Sequence, residues 1–170
     1  MKCREGILVM SDMNRKKVLV TGASRGIGKA VATMFASLGC DLYMTCHKNS
    51  GLLNSLADEL QEKYGIKCKC YTFPICDEEK VTEMFQDISS LDILVNNAGI
   101  SYVGLLTDMT YREWQEVIDT NLNACFLTCR SAVPKMVRRH QGKIFNISSV
   151  WGNIAASTEV AYSASMGGVS

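Results

Sequence analysis

One glycine-rich stretch has the residue types and the spacing that could hold a phosphate. A short apolar run ends at Thr21, and an apolar helical pattern begins at Ile27. Gly22 allows a tight turn after the strand, Gly26 leaves room for a pyrophosphate, and Gly28 allows close packing of helix on sheet. Backbone N–H groups at the helix start would then face the phosphates. A strand–turn–helix that binds nothing is the alternative that these glycines alone leave open.

Polar residues also end two later strands of the sequence. Asn96-Asn97-Ala98-Gly99 follows one apolar run, Ser149 follows another, and Tyr162 opens the helix after that. Each has an ordinary alternative when taken singly. Ser149 could be a helix cap, Tyr162 a surface ring, and Asn121 a polar position on the long helix between these strands.

Taken together, these motifs resemble the short-chain dehydrogenase/reductase family from about Lys17 onward. The resemblance rests on the glycine-rich turn, Asn96-Asn97-Ala98-Gly99, Asn121, Ser149 and Tyr162. Within the family the chain is most similar to the bacterial 3-oxoacyl-(acyl-carrier-protein) reductases of fatty acid synthesis. Residues 147–160 also resemble the reductase that acts on a 5-aminopentanone group of elongation factor P, which is the alternative. The resemblance implies that a small-molecule or carrier-linked carbonyl is reduced to a hydroxyl.

The resemblance and the chemistry of carbonyl reduction assign the same roles. Such a reaction needs a hydride, hydrogen bonds to the developing alkoxide and a proton. Tyr162 is the expected acid and Ser149 the expected oxyanion donor, while Asn121 resembles the family's asparagine that holds a water. The expected cofactor-binding residues are Thr21, Gly22, Ser24, Arg25, Gly26, Ile27, Gly28, His47, Lys48, Asp77, Asn96, Ala98 and Gly99.

The end of the second strand favours NADP(H) over NAD(H). It reads Cys46-His47-Lys48-Asn49 and lacks the acid that usually binds the ribose hydroxyls of NAD. Arg25 and Lys48 are placed to meet a 2′-phosphate; solvated loop charges are the alternative. Asp77 has two interpretations, an adenine contact or the cap of the following helix.

One residue departs from the family pattern Tyr-x3-Lys, because Met166 stands where the lysine is expected. One helical turn places position 166 beside Tyr162. A lysine there would supply a positive charge next to the phenol and hold the nicotinamide ribose, whereas methionine has neither charge nor donor. We therefore expect a chain that binds NADPH but reduces poorly. A non-catalytic NADP-binding module is the alternative.

The pattern that positions these residues is an alternation of strands and helices. It predicts an α/β fold, a doubly wound parallel sheet (Rossmann-like) with strand order 3-2-1-4-5 and a crevice between strands 1 and 4. The predicted strands are Lys17–Val20, Asp41–Cys46, Lys67–Phe73, Leu91–Val95 and Lys143–Ile147. The predicted helices are Ile27–Leu38, Leu52–Tyr64, Glu78–Ile88 and a long one from Tyr111.

The sequence divides into a short N-terminal part and one domain. Residues 1–13 are expected to be a disordered extension, and residues 14–170 an NAD(P)-binding domain that is truncated before the last strands, with strand 5 as an uncovered apolar edge. The candidate pocket-wall residues are Tyr102, Leu105, Leu106, Trp151 and Asn153. By resemblance, the long helix implies a homo-oligomer for the intact protein.

Composition narrows the class of protein further. The chain has 170 residues, 47% of them hydrophobic, and a net charge of +1, which gives no reason to expect nucleic acid or a membrane. It has eight cysteines without a Cys-x2-Cys pair and only two histidines, so no metal site is expected. Reduced core thiols in a cytoplasmic protein are the expected reading.

Overall fold

In the computed structural model, which describes residues 13–170, five parallel strands form one sheet with the order β3-β2-β1-β4-β5. The strands are β1 Lys17–Val20, β2 Asp41–Cys46, β3 Cys68–Thr72, β4 Ile93–Asn96 and β5 Lys143–Asn146. The helices are α1 Gly26–Ser37, α2 Ser50–Tyr64, α3 Glu78–Asp87, α4 Tyr111–Ile118, α5 Ala124–Arg138 and α6 Val160–Val169. The predicted α/β class and strand order are confirmed.

The sheet is covered on both faces, because successive side chains of a strand point to opposite sides. In β1, Val18 and Val20 pack into the cluster that includes α1 and α2, whereas Leu19 packs against α3 and α5. β4 alternates in the same way, with Leu94 on the side of Leu19. The chain order reverses between β1 and β4, so the ends of these two central strands border the crevice.

The long helix after β4 contains a wide turn. Thr110 and Glu113 form the predicted capping box at its start. The helix then continues as α4, a π-helical segment at Asp119–Asn123 and α5. It runs past Pro134 as far as Arg138, so the proline does not end it. Inserted π turns are frequent at functional sites, and this one contains Asn121.

Some apolar side chains of the helices lie outside the core. Ile27 is 61% exposed and Met34 is also exposed, whereas Ala32 and Phe35 are the buried residues of α1. Ile27 lies in the first turn of α1, beside the carboxyl end of β1, and so contacts the crevice instead of the core. Phe126 of the long helix is exposed as well, with the Arg130 guanidinium over its ring.

The two ends of the described region differ in their packing. Met13 packs against the core cluster, and residues 1–12 of the expected extension lie outside the described residues. Within residues 13–170, β5 pairs with β4 alone, and Phe145 on it is exposed. No helix in this range has the length and the apolarity needed to cross a membrane.

Candidate active site

The glycine-rich turn is held at the end of β1 by its neighbour β2. Thr45 of β2 accepts hydrogen bonds from two N–H groups of the turn, with Oγ1 bound to Gly22 N at 3.3 Å and the carbonyl bound to Ala23 N at 2.9 Å. Gly22 has φ +67°, a conformation that favours glycine. The turn therefore lies beside the end of β2, from which His47 and Lys48 continue.

Two of the three motif glycines are required by close backbone contacts. A Cβ on Gly28 would lie 2.3 Å from the Gly22 oxygen, and one on Gly22 would lie 2.9 Å from the Ala98 Cα. Gly26 is different, since a Cβ there would meet nothing within 4 Å, and its φ is +57°. Gly22 and Gly28 thus serve packing, and the space above Gly26 is open.

Thr21 and Asn97 join the ends of the two central strands. Thr21 Oγ1 accepts from the N–H groups of Asn97 and Ala98, both at 3.0 Å, and Asn97 Nδ2 donates to the Thr21 carbonyl at 2.9 Å. Because Thr21 is buried, its side chain acts inside the crevice wall. The Asn97 side chain thus has a structural role that the tetrapeptide Asn96-Asn97-Ala98-Gly99 does not reveal by itself.

The Asn96 side chain turns away from the crevice. Its Oδ1 accepts from Thr128 Oγ1 at 2.8 Å and its Nδ2 donates to Asn146 Oδ1 at 2.9 Å, so it links β4 to α5 and β5. The alternation of a strand sends the side chain of residue 96 inward. The neighbouring Asn97, Ala98 and Gly99 line the cavity, and a contact of Asn96 with a cofactor stays a prediction.

One cavity of about 520 Å³ brings three of the four predicted catalytic residues together at the ends of β4 and β5. Ser149, Tyr162 and Met166 share it with Ile27 of the glycine-rich turn. The residues that line it are Ile27, Asn97, Ala98, Gly99, Ile100, Ser101, Ile147, Ser148, Ser149, Trp151, Glu159, Tyr162 and Met166. Of the predicted pocket-wall residues, Trp151 lines this cavity, whereas Tyr102, Leu105, Leu106 and Asn153 do not.

Ser149 keeps a hydroxyl proton for a ligand. Its Oγ accepts a hydrogen bond from the Trp151 N–H at 3.3 Å, at the start of the short turn Val150–Gly152. A hydroxyl that accepts in this way still has one O–H to donate. Half-buried Tyr162, in the first turn of α6, brings a phenol to the same cavity. Each of the two hydroxyls is a possible donor to a ligand in this cavity.

Close packing sets the position of Ser149 relative to Tyr162. A Cβ on Gly152 would lie 2.8 Å from the carbonyl carbon and oxygen of Met166, so the turn after Ser149 touches the backbone of α6. Ser148 Oγ donates to the same carbonyl at 3.1 Å. The role of Gly152 cannot be predicted from the sequence, because no local pattern marks a contact between residues so far apart in the chain.

Asn121 is 1% exposed and all the hydrogen-bonding groups of its amide are used. Oδ1 accepts from Ile100 N at 2.8 Å, and Nδ2 donates to the Ile100 carbonyl and to Ser165 Oγ, both at 2.9 Å. The side chain therefore ties a cavity-lining loop to α6. It is not among the residues that line the cavity, and its role in holding a water stays a prediction.

The remaining predicted cofactor residues are not among those that line the cavity. Ser24 is half-buried, and Arg25, His47 and Lys48 are exposed. Within residues 13–170, neither Arg25 nor Lys48 forms an ion pair. Asp77 accepts a hydrogen bond from Lys80 N at 3.0 Å, which confirms its assignment as the cap of α3; its contact with an adenine stays a prediction.

The thiols near the site are poor nucleophiles. Burial raises the pKa of Cys125 to about 11, and it also raises the pKa of Cys129. Cys125 Sγ donates to the Asn121 carbonyl at 3.2 Å. Because a thiolate is the reactive form, these side chains serve packing at neutral pH. No group of three or more potential metal-ligating side chains occurs within residues 13–170.

Comparison with known proteins identifies the family of this chain. A family model described as short chain dehydrogenase matches residues 16–170. The chain belongs to this family. Met166, which stands where the sequence pattern predicts a lysine, is buried in the cavity wall with 5% of its surface exposed.

Several individual relatives are similar over most of this chain. The 3-oxoacyl-(acyl-carrier-protein) reductase of Aquifex aeolicus is 37% identical over 91% of this chain, and that of Staphylococcus aureus strain Mu50 is 36% identical over the same share. The chain spans 63% and 64% of their lengths. The sequence similarity therefore covers nearly all of this chain but less than two thirds of each relative.

Two solved structures share the fold. A metagenomic short-chain oxidoreductase in complex with NADP has a TM-score of 0.88 and 31% identity, covering 92% of this chain and 72% of its own. A putative gluconate dehydrogenase from Agrobacterium tumefaciens has a TM-score of 0.87 and 32% identity, covering 92% and 63%. The sheet and its helices thus match those of two oxidoreductases whose described activities differ.

Proposed function

We propose that this chain binds NADP(H) and catalyses the reduction of a carbonyl to a hydroxyl. The proposed substrate class is a 3-oxoacyl thioester. The observation that carries the proposal is the shared cavity, which Ser149 and Tyr162 line together with Ile27, Ala98 and Gly99. The similarity to 3-oxoacyl-(acyl-carrier-protein) reductases supports the substrate class. We also propose that the intact protein is cytoplasmic and forms a homo-oligomer.

The glycine-rich turn fits the phosphates of a dinucleotide. The N–H groups of the first turn of α1 lack acceptors within the helix, and no side chain caps this end within residues 13–170. The open space over Gly26 lets an anion approach them. Arg25 and Lys48 flank the turn and would contact a 2′-phosphate, which favours NADP(H). When bound, this cofactor supplies a hydride to the carbonyl carbon.

The cavity residues would act on the carbonyl oxygen. Ser149 donates its free O–H to the oxygen as negative charge develops there, and Tyr162 donates the proton that completes the alcohol. Met166 gives neither a charge nor a hydrogen bond at the position where the family has a lysine. We therefore expect this chain to bind substrate and cofactor but to reduce the carbonyl slowly.

Substitution of Met166 tests the proposal with the largest expected effect. Met166→Lys is expected to raise the rate of NADPH oxidation with a 3-oxoacyl thioester by ~10²–10⁴-fold, the usual contribution of a proton-transfer system. The measurement is steady-state absorbance of NADPH, and its binding is followed separately by fluorescence. Met166→Leu is the matched control, since it changes the side chain without adding charge, and it should leave the rate low.

Three results would contradict parts of this proposal. Equal rates for the wild-type chain and Met166→Lys would show that the methionine does not limit the reaction. Activity that survives Tyr162→Phe in the Met166→Lys background would remove the tyrosine as the acid. Failure of a cooperatively folded chain to bind NADPH would overturn the cofactor assignment itself.

A further inference from the structure

Ser165 is a buried hydroxyl in α6, one turn after Tyr162. It is 0% exposed, so its hydrogen-bond partners have to come from the protein. Its Oγ donates to the Tyr162 carbonyl at 2.7 Å and accepts from Asn121 Nδ2 at 2.9 Å. Ser165 is not among the residues that line the cavity. It therefore holds the backbone of the proposed acid from outside the site.

The hydrogen bonds around Ser165 have only one arrangement. The Tyr162 carbonyl can only accept, so it takes the Ser165 proton, and the Ser165 oxygen is left to accept from Asn121. The amide of Asn121 is fixed in turn by Ile100, whose N–H binds Oδ1 at 2.8 Å and whose carbonyl binds Nδ2 at 2.9 Å. Exchanging the two ends of the amide would place two donors against each other at the Ile100 N–H. These four residues thus form one hydrogen-bond chain.

This hydrogen-bond chain connects two walls of the cavity. Ile100 and Tyr162, at its two ends, both line the cavity, whereas Asn121 and Ser165, in its middle, do not. Ile100 directly follows Gly99 in the loop after β4. Both middle residues are buried, so water does not compete for their hydrogen bonds. A movement of one wall is therefore transmitted to the other through buried polar contacts.

The start of α6 depends on such contacts, because α6 is short. It has ten residues, Val160–Val169, and a helix of this length is marginal on its own. It packs against the π-helical segment Asp119–Asn123, since a Cβ on Gly168 would lie 2.9 Å from Leu122 Cδ2. The same segment supplies the amide that binds Ser165. The π-helical segment thus holds α6 by packing and by a hydrogen bond.

We propose that Ser165 is a positioning residue that, through Asn121, fixes the first turn of α6 and hence Tyr162 relative to the Ile100 wall. The proposal rests on the proposed reductase function and adds to it a residue outside the cavity. A small displacement of a proton donor lowers the rate of a reaction without loss of binding. Loss of the Ser165 hydroxyl should therefore slow the reduction and leave cofactor binding intact.

Kinetics of Ser165→Ala in the Met166→Lys background test this role. We expect kcat for reduction of a 3-oxoacyl thioester to fall ~10-fold, with the NADPH dissociation constant changed by less than about twofold. Ser163→Ala is the matched control. Ser163 is a second buried hydroxyl of α6, and its Oγ accepts from Ala156 N at 3.2 Å, outside the hydrogen-bond chain. This variant should keep kcat within about twofold of the parent.

Hydrogen exchange at the Ile100 amide tests the link without any turnover. It is measured by NMR on the full chain with Met166 in place. Ser165→Ala should reduce the protection of this amide ~10-fold, because Asn121 loses a partner, whereas Ser163→Ala should leave it unchanged. Ser165→Cys keeps the volume of the side chain with a weaker hydrogen-bonding group and should have an intermediate effect. It replaces Ser165→Ala in both experiments if the latter lacks a cooperative thermal transition.

The outcomes distinguish this inference from the function on which it rests. Equal kcat values for Ser165→Ala and its parent, or equal losses in Ser165→Ala and Ser163→Ala, overturn the positioning role. Unchanged exchange at Ile100 also overturns it, because the link between the two walls would then be absent. No turnover by the parent Met166→Lys variant would count against the reductase function, and the exchange comparison would still decide whether Ser165 links the walls.

Discussion

The turn side and the catalytic side of the cavity are held in place differently. On the turn side, residues 21–28 are adjacent in the chain and pack backbone against backbone, with Gly28 against Gly22. On the catalytic side, Ser149 and Tyr162 belong to separate segments, which are joined through Gly152 and the Met166 backbone. A local motif thus specifies the first side, and a contact between distant segments specifies the second.

This difference explains how Met166 can occupy the position predicted for a catalytic lysine in an otherwise ordinary fold. The backbone of residue 166 accepts the hydrogen bond from Ser148 and contacts Gly152, and both interactions are independent of the side chain. The side chain fills the cavity wall. A substitution there changes the chemistry of the site and leaves its scaffold in place.

Gly28→Ala tests the packing of the turn side and should have the largest effect on stability. The new methyl group would lie 2.3 Å from the Gly22 oxygen and 2.5 Å from Asn97 Nδ2. We expect a loss of about 3 kcal/mol in the free energy of unfolding, measured by urea denaturation, together with loss of NADPH binding. Gly51→Ala is the control, since its methyl group would meet nothing within 4 Å in α2. It should gain about 0.5–1 kcal/mol. Equal effects of the two would refute the packing role.

Gly152→Ala tests the catalytic side. Its methyl group would lie 2.8 Å from the Met166 carbonyl group and would shift Ser149 relative to Tyr162. We expect a loss of about 1–2 kcal/mol in stability. In the Met166→Lys background the turnover rate should fall by about tenfold or more, with the NADPH dissociation constant unchanged. Gly167→Ala is the milder control, at 3.2 Å from the Gly152 oxygen. A parallel loss of NADPH binding would show that the two sides are not independent.

The smallest expected effect concerns the choice between NADPH and NADH. Replacing Arg25 and Lys48 together by alanine should reduce the preference for NADPH by about tenfold, because two charged partners of a 2′-phosphate are removed. The ratio of the two dissociation constants, measured by fluorescence, is the readout. Arg138→Ala removes an exposed charge in α5 and should leave that ratio unaltered. An unchanged ratio in the double variant would assign the preference to other residues.

The sequence by itself predicted the strands, their order and most of the catalytic cavity. Alternating apolar runs and right-handed connections restrict a five-stranded α/β chain to few arrangements. The spacing of Gly22, Gly26 and Gly28 is a local property of a strand–turn–helix, so it is legible without any tertiary contact. The pairing of Ser149 with Tyr162 was legible through the resemblance to a family.

Only the tertiary structure decided which neighbouring side chain enters the cavity and which residues hold it together. Asn97 lines the cavity, whereas the Asn96 side chain points away from it and binds Thr128 of α5. The alternation of side chains along β4 sets this difference, and a shift of one residue in register would reverse it. Asn121 is occupied by Ile100 and Ser165, and Gly152 contacts residue 166, since these partners meet only when the chain folds. Contacts between residues far apart in sequence leave no periodic signal. For this physical reason they can be identified only from the tertiary structure.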